Sequence, residues 1–293
     1  MTNVPIPDVR VGEPQVCGGV AIFPLFVDHF SSLDYLLSDE AMTAGTLAVR
    51  EVSEDGSVGE LLAENLGDQP VLFVEGEEVR GGKQNRILAS SMLVAGRNRT
   101  RIPVACTEPG RWAYDARQFT SGSCCPPSLR HVLKLGGDGR QARVWETIRQ
   151  RHLRLGIRSR TGNMSDAVDA RQEAAEGLRR GLRCPKGASG IAIELGGRVV
   201  AIDIFDRAAT CKAFWPRIAE SLLLDAQEMP TTGCQASTDV AVKLYMLRNM
   251  RWQQVEPNIG SGESYRGRSD DDILATALVA GHTLVHLSVS MPT

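Results

Sequence analysis

Between residue 11 and about residue 125 the chain is cut into short apolar runs by turn residues at nearly even spacing. CGGVAIFPLF (17–26) is followed by TLAVREVSEDGSVGELLAENLGDQPVLFVEG, where β-type runs alternate with turns at Asp55-Gly56 and Gly67-Asp68. RILASSMLVAG and RTRIPVACTEPGRW keep the same rhythm. Breaks this frequent leave room for strands of about four to eight residues and little else. DYLLSDEAMTAG (34–45) reads as a short helix. Residues 1–127 are therefore expected to form an antiparallel β-rich region, sandwich-like or strongly curved.

Residues 128–184 have a different texture. VWETIRQRHLRLGI and SDAVDARQEAAEGLRRGL place apolar residues at helical spacing among charges, and Ser165 or Asp166 is the expected N-cap of the second helix. From Arg130 to Arg183 stand 12 Arg and one Lys against six acidic residues, a local net charge of +7 in a chain of formal charge −2. Arginine-rich helices grip polyanions or dock on the acidic remainder of the same chain or of a neighbouring subunit. Interspersed Glu and Asp, with Trp145 almost alone among aromatics, favour docking and make nucleic acid an unlikely partner.

Residues 185–293 read as mixed α and β. IAIELGGRVVAIDIF is a hairpin turning at Gly196-Gly197, and ILATALVAGHTLVHLSV is a second, meeting at Gly281-His282. AFWPRIAESLLLDAQE and STDVAVKLYMLRNM read as helices, with Pro216 expected in a first turn and Ser237 as a cap. The fold class is α+β, either as these three regions or as one compact domain. No internal repeat occurs.

At 293 residues and 42% hydrophobic the chain has enough apolar material for a sizeable core. No apolar run approaches the length of a membrane span, and MTNVPIPDVR is unlike a signal peptide, so a cytoplasmic protein is expected. Seven cysteines without a C-x-x-C pair agree with reduced thiols. No metal-ligand spacing, Walker loop, dinucleotide fingerprint or G-x-S-x-G elbow is present, and no cofactor is expected.

Three polar stretches stand out. In VEGEEVRGGKQNR (74–86), Gly76 and Gly81 have the first spacing of a phosphate loop, but the lysine follows the wrong glycine and no hydroxyl follows it. What remains is a glycine pair that lets backbone turn or approach a ligand, followed by the donors Gln84, Asn85 and Arg86. Such a stretch is equally a hairpin with a polar tip. In CTEPGRW (106–112), Glu108 and Arg111 flank a Pro-Gly turn and Trp112 offers a flat face; an ion pair that only stabilises the turn is the plainer reading. Cys106 reads as a buried strand residue. In NIGSGESYRGR (258–268), Glu263, Tyr265 and Arg266 follow two glycines in what reads as a flexible polar loop or a ligand-facing one. His286 alternates with apolar neighbours, on the face opposite Val285 and Leu287, and reads as a core histidine or a cleft residue.

EGEEVRGGKQNR, IPVACTEPGRW and GSGESYR together resemble a bacterial domain family named for its association with ADP-ribosylglycohydrolases and rhodanese-type phosphatases. The matching positions are Glu75, Gly76, Gly82, Gln84, Asn85 and Arg86, then Cys106, Glu108, Gly110, Arg111 and Trp112, then Gly260, Gly262, Glu263, Tyr265 and Arg266. Ala105 and Thr107 stand where serine and a β-branched aliphatic are expected. The resemblance implies a place in NAD or ADP-ribose metabolism or signalling and no particular reaction.

Taken with the residues, the first expectation is a nucleotide-binding or nucleotide-processing protein for an ADP-ribose- or NAD-like ligand. Arg86, Arg111 and Arg266 would hold phosphates, Gln84 and Asn85 would read ribose or amide groups, and Gly82, Trp112, Glu263, Tyr265 and His286 would complete the wall. Glu108, or else Glu75, would act as general base if the protein is an enzyme, a hydrolase or transferase. The alternative is a non-catalytic assembly protein whose charge asymmetry drives docking, and a homo-oligomer fits either.

Overall fold

In the computed structural model, residues 4–28, 31–171, 176–177, 180–228, 239–269 and 272–292 are described. Strand and helix alternate as an α+β, β-rich chain. The early part of the chain closes into a six-stranded antiparallel barrel of β5 (Leu47–Glu51), β6 (Glu60–Asn65), β8 (Glu77–Gly82), β9 (Arg86–Leu88), β11 (Asn98–Cys106) and β12 (Ala116–Cys124). Two long strands make the closure. β11 pairs β6 up to Pro103 and then β9 from Val104, while β12 pairs both β5 and β8 with two register shifts. A strand that changes partner at an irregularity bends the sheet around until its edges meet. The short, evenly punctuated runs thus produce the strongly curved alternative.

Gly81 and Gly82 belong to this closure. Gly82 has φ +49, and a Cβ there would lie 2.1 Å from Phe119 Cζ in the barrel core. Gly81 has φ +126, and a Cβ there would lie 2.9 Å from the Gln118 carbonyl oxygen. The pair, expected to let a ligand approach, lets the barrel's own β12 approach instead.

A three-stranded sheet joins this barrel to the rest: β10 (Met92–Val94), β7 (Val71–Phe73) and β4 (Leu36–Leu37), the last parallel to β7 and followed by helix α1 (Ser38–Thr43). β7 is buried on both faces, with Val71 and Phe73 in the barrel core and Leu72 in the second core. Two-sided burial is why this strand reads as a continuous apolar run.

The second large unit is a nine-stranded antiparallel sheet. Its order is β1 (Val9–Val11), β3 (Val20–Val27), β13 (Gly190–Leu195), β14 (Arg198–Phe205), β18 (Thr283–Ser290), β17 (Leu274–Ala280), β16 (Glu263–Arg268) and β15 (Trp252–Gln254), with β2 (Gln15–Cys17) beside β3. Both expected hairpins are here, and β3 from near the N-terminus pairs β13. One face packs on helix α6 (Asp239–Arg248) through Val240, Leu244 and Leu247. The other packs on helix α5 (Ala208–Ala226) and on the three-stranded sheet through Phe205, Phe214, Ile218, Leu72 and Leu93.

Helices α2 (Pro127–Leu135), α3 (Arg140–Leu155) and α4 (Met164–Asp169) form the basic middle segment. α3 ends at Gly156 in the left-handed region. Two expectations are corrected. Asn163 caps α4 by accepting from the Ser165 N–H, because the Ser165 hydroxyl donates to Glu78 instead. Pro216 lies well inside α5, since that helix begins at Ala208. Ser237 and much of the run after Arg171 lie outside the described residues. The segment's charges dock on the chain's own acids: Arg130 on Asp203, Lys134 on Glu75, Arg151 on Asp225 and Glu228, and Arg154 on Glu228. Among the described residues no helix is long and apolar enough to cross a membrane, which says nothing of strands.

Candidate functional site

The first two polar motifs meet at the barrel, and they consume one another's hydrogen-bonding capacity. Glu108 Oε2 accepts from Arg111 Nε at 2.8 Å and from the Asn85 N–H at 3.2 Å, while Oε1 accepts from Thr161 at 2.8 Å. Arg111 also donates to the carbonyls of Gly82 and Ala113 and to Asn85 Oδ1. Gln84 Nε2 donates to the Glu108 carbonyl at 2.8 Å. Arg86 is fully buried, donates to the Gln84 carbonyl at 2.8 Å, lies 3.6 Å from Glu51 and sits under the Trp112 ring. Trp112 is 46% exposed and is also covered by Lys83.

This corrects the role expected of Glu108. Burial alone would raise its carboxyl, but hydrogen bonds from Arg111, Thr161 and the Asn85 N–H outweigh burial and hold it below the ordinary range. A base working near neutrality needs the opposite shift. Glu108 and Arg111 form a turn-locking ion pair, and burial pushes the Cys106 thiol beside them up to about 11.

Glu75, the other candidate base, is wholly buried elsewhere. Its carboxylate accepts from Lys134, from Thr276 Oγ1 at 2.8 Å and from Ser288 Oγ at 3.2 Å. With three donors on a fully buried carboxylate it anchors α2 to β17 and β18.

Next to Glu75 a row of polar side chains crosses the inner face of the nine-stranded sheet. The Glu75 N–H donates to Ser91 Oγ at 2.9 Å, and Ser91 Oγ lies 2.7 Å from His286 Nδ1. His286 Nε2 lies 3.4 Å from Asp203 Oδ1, and both Asp203 oxygens accept from Arg130 at 2.7 and 2.8 Å. Burial alone would raise the Asp203 carboxyl, but Arg130 and His286 hold it far below the ordinary range. The His286 ring stacks on Phe205 with centroids 4.6 Å apart. His286 faces away from Leu287 as expected, whereas a bulge opposite Leu278-Val279 puts Val285 in the same apolar cluster as Phe205.

Ser91 and His286 open onto a narrow cleft of about 100 Å³ at the seam between the barrel and the nine-stranded sheet. Tyr265, Arg266 and Thr276 on the sheet and Arg140 at the start of α3 supply its other polar walls, between Met92, Pro103, Ile259 and Leu278. Among the described residues neither Arg140 nor Arg266 has an acidic partner. Arg140 is shifted down by burial and by the like charges of Arg266 and Arg143. Glu263 is exposed, is not among the residues that line the cleft, and accepts a hydrogen bond from the Tyr265 hydroxyl.

The expected site residues therefore fall into three groups. Gln84, Asn85, Arg86, Glu108, Arg111 and Trp112 come together at the barrel, with Gly82 packed inside it. Tyr265, Arg266 and His286 line the cleft, and Glu263 is tied to Tyr265 without lining it. Glu75 lies buried behind it. Ser91, Asp203, Arg130 and Arg140 escaped the sequence reading; the only available signal was a polar residue inside an apolar run, as in LASSMLV and VVAIDIF. Among the described residues no cluster of His, Cys, Asp or Glu could hold a metal ion.

A closed barrel joined to a large antiparallel sheet, with two arginines among the walls of the cleft at their seam, defines a β-rich α+β protein. The chain belongs to the family of the ARG and Rhodanese-Phosphatase-superfamily-associated Protein domain, whose model matches residues 8–290. That name records an association with ADP-ribosylglycohydrolases. No curated protein and no solved structure matches the chain.

Proposed function

We infer that the cleft binds the phosphate-bearing end of an ADP-ribose- or NAD-like nucleotide, and that the protein acts in the metabolism or signalling of such nucleotides. One observation carries this reading: Arg140 and Arg266 share an apolar-walled slot without an acidic partner among the described residues. Two guanidiniums held together repel, and a phosphate bridging them relieves the repulsion through charge-assisted hydrogen bonds. A cavity of ~150 Å³ holds a benzene ring, so a slot of about 100 Å³ takes one end of a dinucleotide and leaves the rest outside. The family's association with ADP-ribosylglycohydrolases favours ADP-ribose chemistry over other phosphate compounds.

The test is calorimetric titration with ADP-ribose, NAD, cyclic ADP-ribose and inorganic phosphate, in wild type and in Arg140→Ala and Arg266→Ala. Saturable binding that both variants weaken supports the reading; no heat from any nucleotide at millimolar concentration sinks it. The assembly alternative is weakened where Arg130, Lys134, Arg151 and Arg154 already pair with acids of the same chain.

A further inference from the structure

We propose that Ser91, His286 and Asp203 form a nucleophilic relay at the wall of the cleft, acting on short carboxylic esters whose alcohol part carries a phosphate. The phosphate part of this proposal rests on the reading of Arg140 and Arg266 above; the relay itself does not.

The argument begins with the Ser91 proton. Ser91 lies in the bend between β9 and β10, outside both ladders, and its oxygen already accepts the Glu75 N–H. Its own proton is left to point at His286 Nδ1, 2.7 Å away. We take Nδ1 as the acceptor of that proton, which places the ring hydrogen on Nε2, facing Asp203 Oδ1 at 3.4 Å. That approach is longer than a made hydrogen bond, as is common in sites without substrate. Arg130 keeps Asp203 ionised, and the stack on Phe205 fixes the plane of the ring. Nucleophile, base and orienting carboxylate thus follow in the order that acyl transfer requires, with the imidazole turned end for end relative to the familiar triad. A serine–histidine relay is recognised by roles and geometry, and either ring nitrogen can take a proton.

Location supplies the second part. Ser91 and His286 both line the cleft, and Ser91 keeps 7% of its surface. A purely structural hydrogen-bond chain has no need of a wall shared with two arginines that have no acidic partner among the described residues. In the reaction, Ser91 Oγ attacks the ester carbonyl carbon as its proton passes to His286 Nδ1. The C–O bond to the alcohol breaks, and the alkoxide takes that proton and leaves, giving acyl-Ser91. Water then gives a proton to Nδ1 and attacks the acyl carbon; Ser91 recovers its proton and the carboxylic acid departs. The small volume of the cleft restricts the acyl group to a short one.

The test treats the intact protein with diisopropyl fluorophosphate and locates the adduct by peptide mass spectrometry. The expected result is a single adduct on Ser91 with loss of fluoride, retained in Ser90→Ala and absent from Ser91→Ala. No adduct on Ser91 of the wild type at millimolar reagent, or an adduct on Ser90 instead, overturns the relay whatever ADP-ribose binding shows. A Ser91 adduct in a protein that binds no nucleotide upholds the relay and removes the ligand reading. For the substrate class, acetylated ribose 5-phosphate is compared with 4-nitrophenyl acetate. A charge-assisted contact predicts a preference of about tenfold or more for the phosphate ester, lost in Arg140→Ala; equal rates in wild type overturn that class.

Discussion

Nε2 of His286 stands 3.4 Å from Oδ1 of Asp203 across two neighbouring antiparallel strands. The register pairs Phe205 with His286 and Asp203 with Ser288, so Asp203 and His286 are diagonal neighbours on one sheet face. Diagonal pairs stand ~7–8 Å apart at the backbone, within reach of long side chains. Arg130 of α2 reaches the same carboxylate from above, so one carboxylate ties helix, strand and imidazole together.

Removing Arg130 is the first test of that tie. Arg130→Met leaves Asp203 as a buried charge, and loss of one partner of a buried pair costs roughly 3–5 kcal/mol. Chemical denaturation is expected to show a loss of this size, and a change under about 1 kcal/mol would mean that the pair is relaxed or hydrated.

Acid should act through the same carboxylate. The folded protein holds Asp203 well below its ordinary range, chiefly through Arg130 against the opposing effect of burial. The unfolded chain takes up this proton near pH ~3.9. Between that value and the folded one the unfolded state binds more protons, so stability rises with pH there and is fully present above it. Urea midpoints measured from about pH 6 down to about pH 2 should fall more steeply for wild type than for Asp203→Asn. Parallel curves would remove Asp203 as a contributor.

Gly82→Ala should be severe. Its Cβ would meet Phe119 Cζ at 2.1 Å, and φ of +49 strains any side chain. Overpacking a core costs about 1–3 kcal/mol before strain is counted. Thermal unfolding checks the loss, and Phe119→Leu in the same chain should recover only the steric part.

Glu108→Gln should separate stability from binding. It removes the charge partner of Arg111, and a hydrogen bond to a charged group contributes about 1.5–3 kcal/mol. Because Glu108 lies in the barrel network and not among the cleft walls, affinity for an ADP-ribose-like nucleotide is expected to stay unchanged. A loss of affinity with an unchanged unfolding midpoint would restore Glu108 to the site.

Cys106 should be inert. Burial pushes its thiol up to about 11, and its sulfur donates to the Val58 carbonyl. A disulfide reagent at about pH 8, where a thiolate is the reacting species, should label it only after unfolding.

Much of the fold was legible wherever local chemistry decides. The turns at Gly196-Gly197 and Gly281-His282 carry their structure in their own residues. Barrel closure was not legible, because it depends on β11 and β12 each serving two partners. The cap of α4 was misread because the better-placed Ser165 hydroxyl is taken by Glu78, 87 residues away.

The candidate site divides in the same way. Sequence alone marked Arg86, Glu108 and Arg111 as rich in hydrogen bonds, and they are; it did not reveal that they spend those bonds on one another. It marked Tyr265 and Arg266 as part of a polar loop that is either flexible or ligand-facing, and His286 as a core histidine or a cleft residue. Composition and periodicity thus determined an antiparallel, β-rich α+β chain with a basic helical middle. Only the tertiary structure put Ser91 against His286, 195 residues apart, and Arg140 across from Arg266. The physical reason is that a side chain's chemistry depends on what register and packing set opposite it, and those partners are chosen by closing long loops rather than by neighbours in sequence.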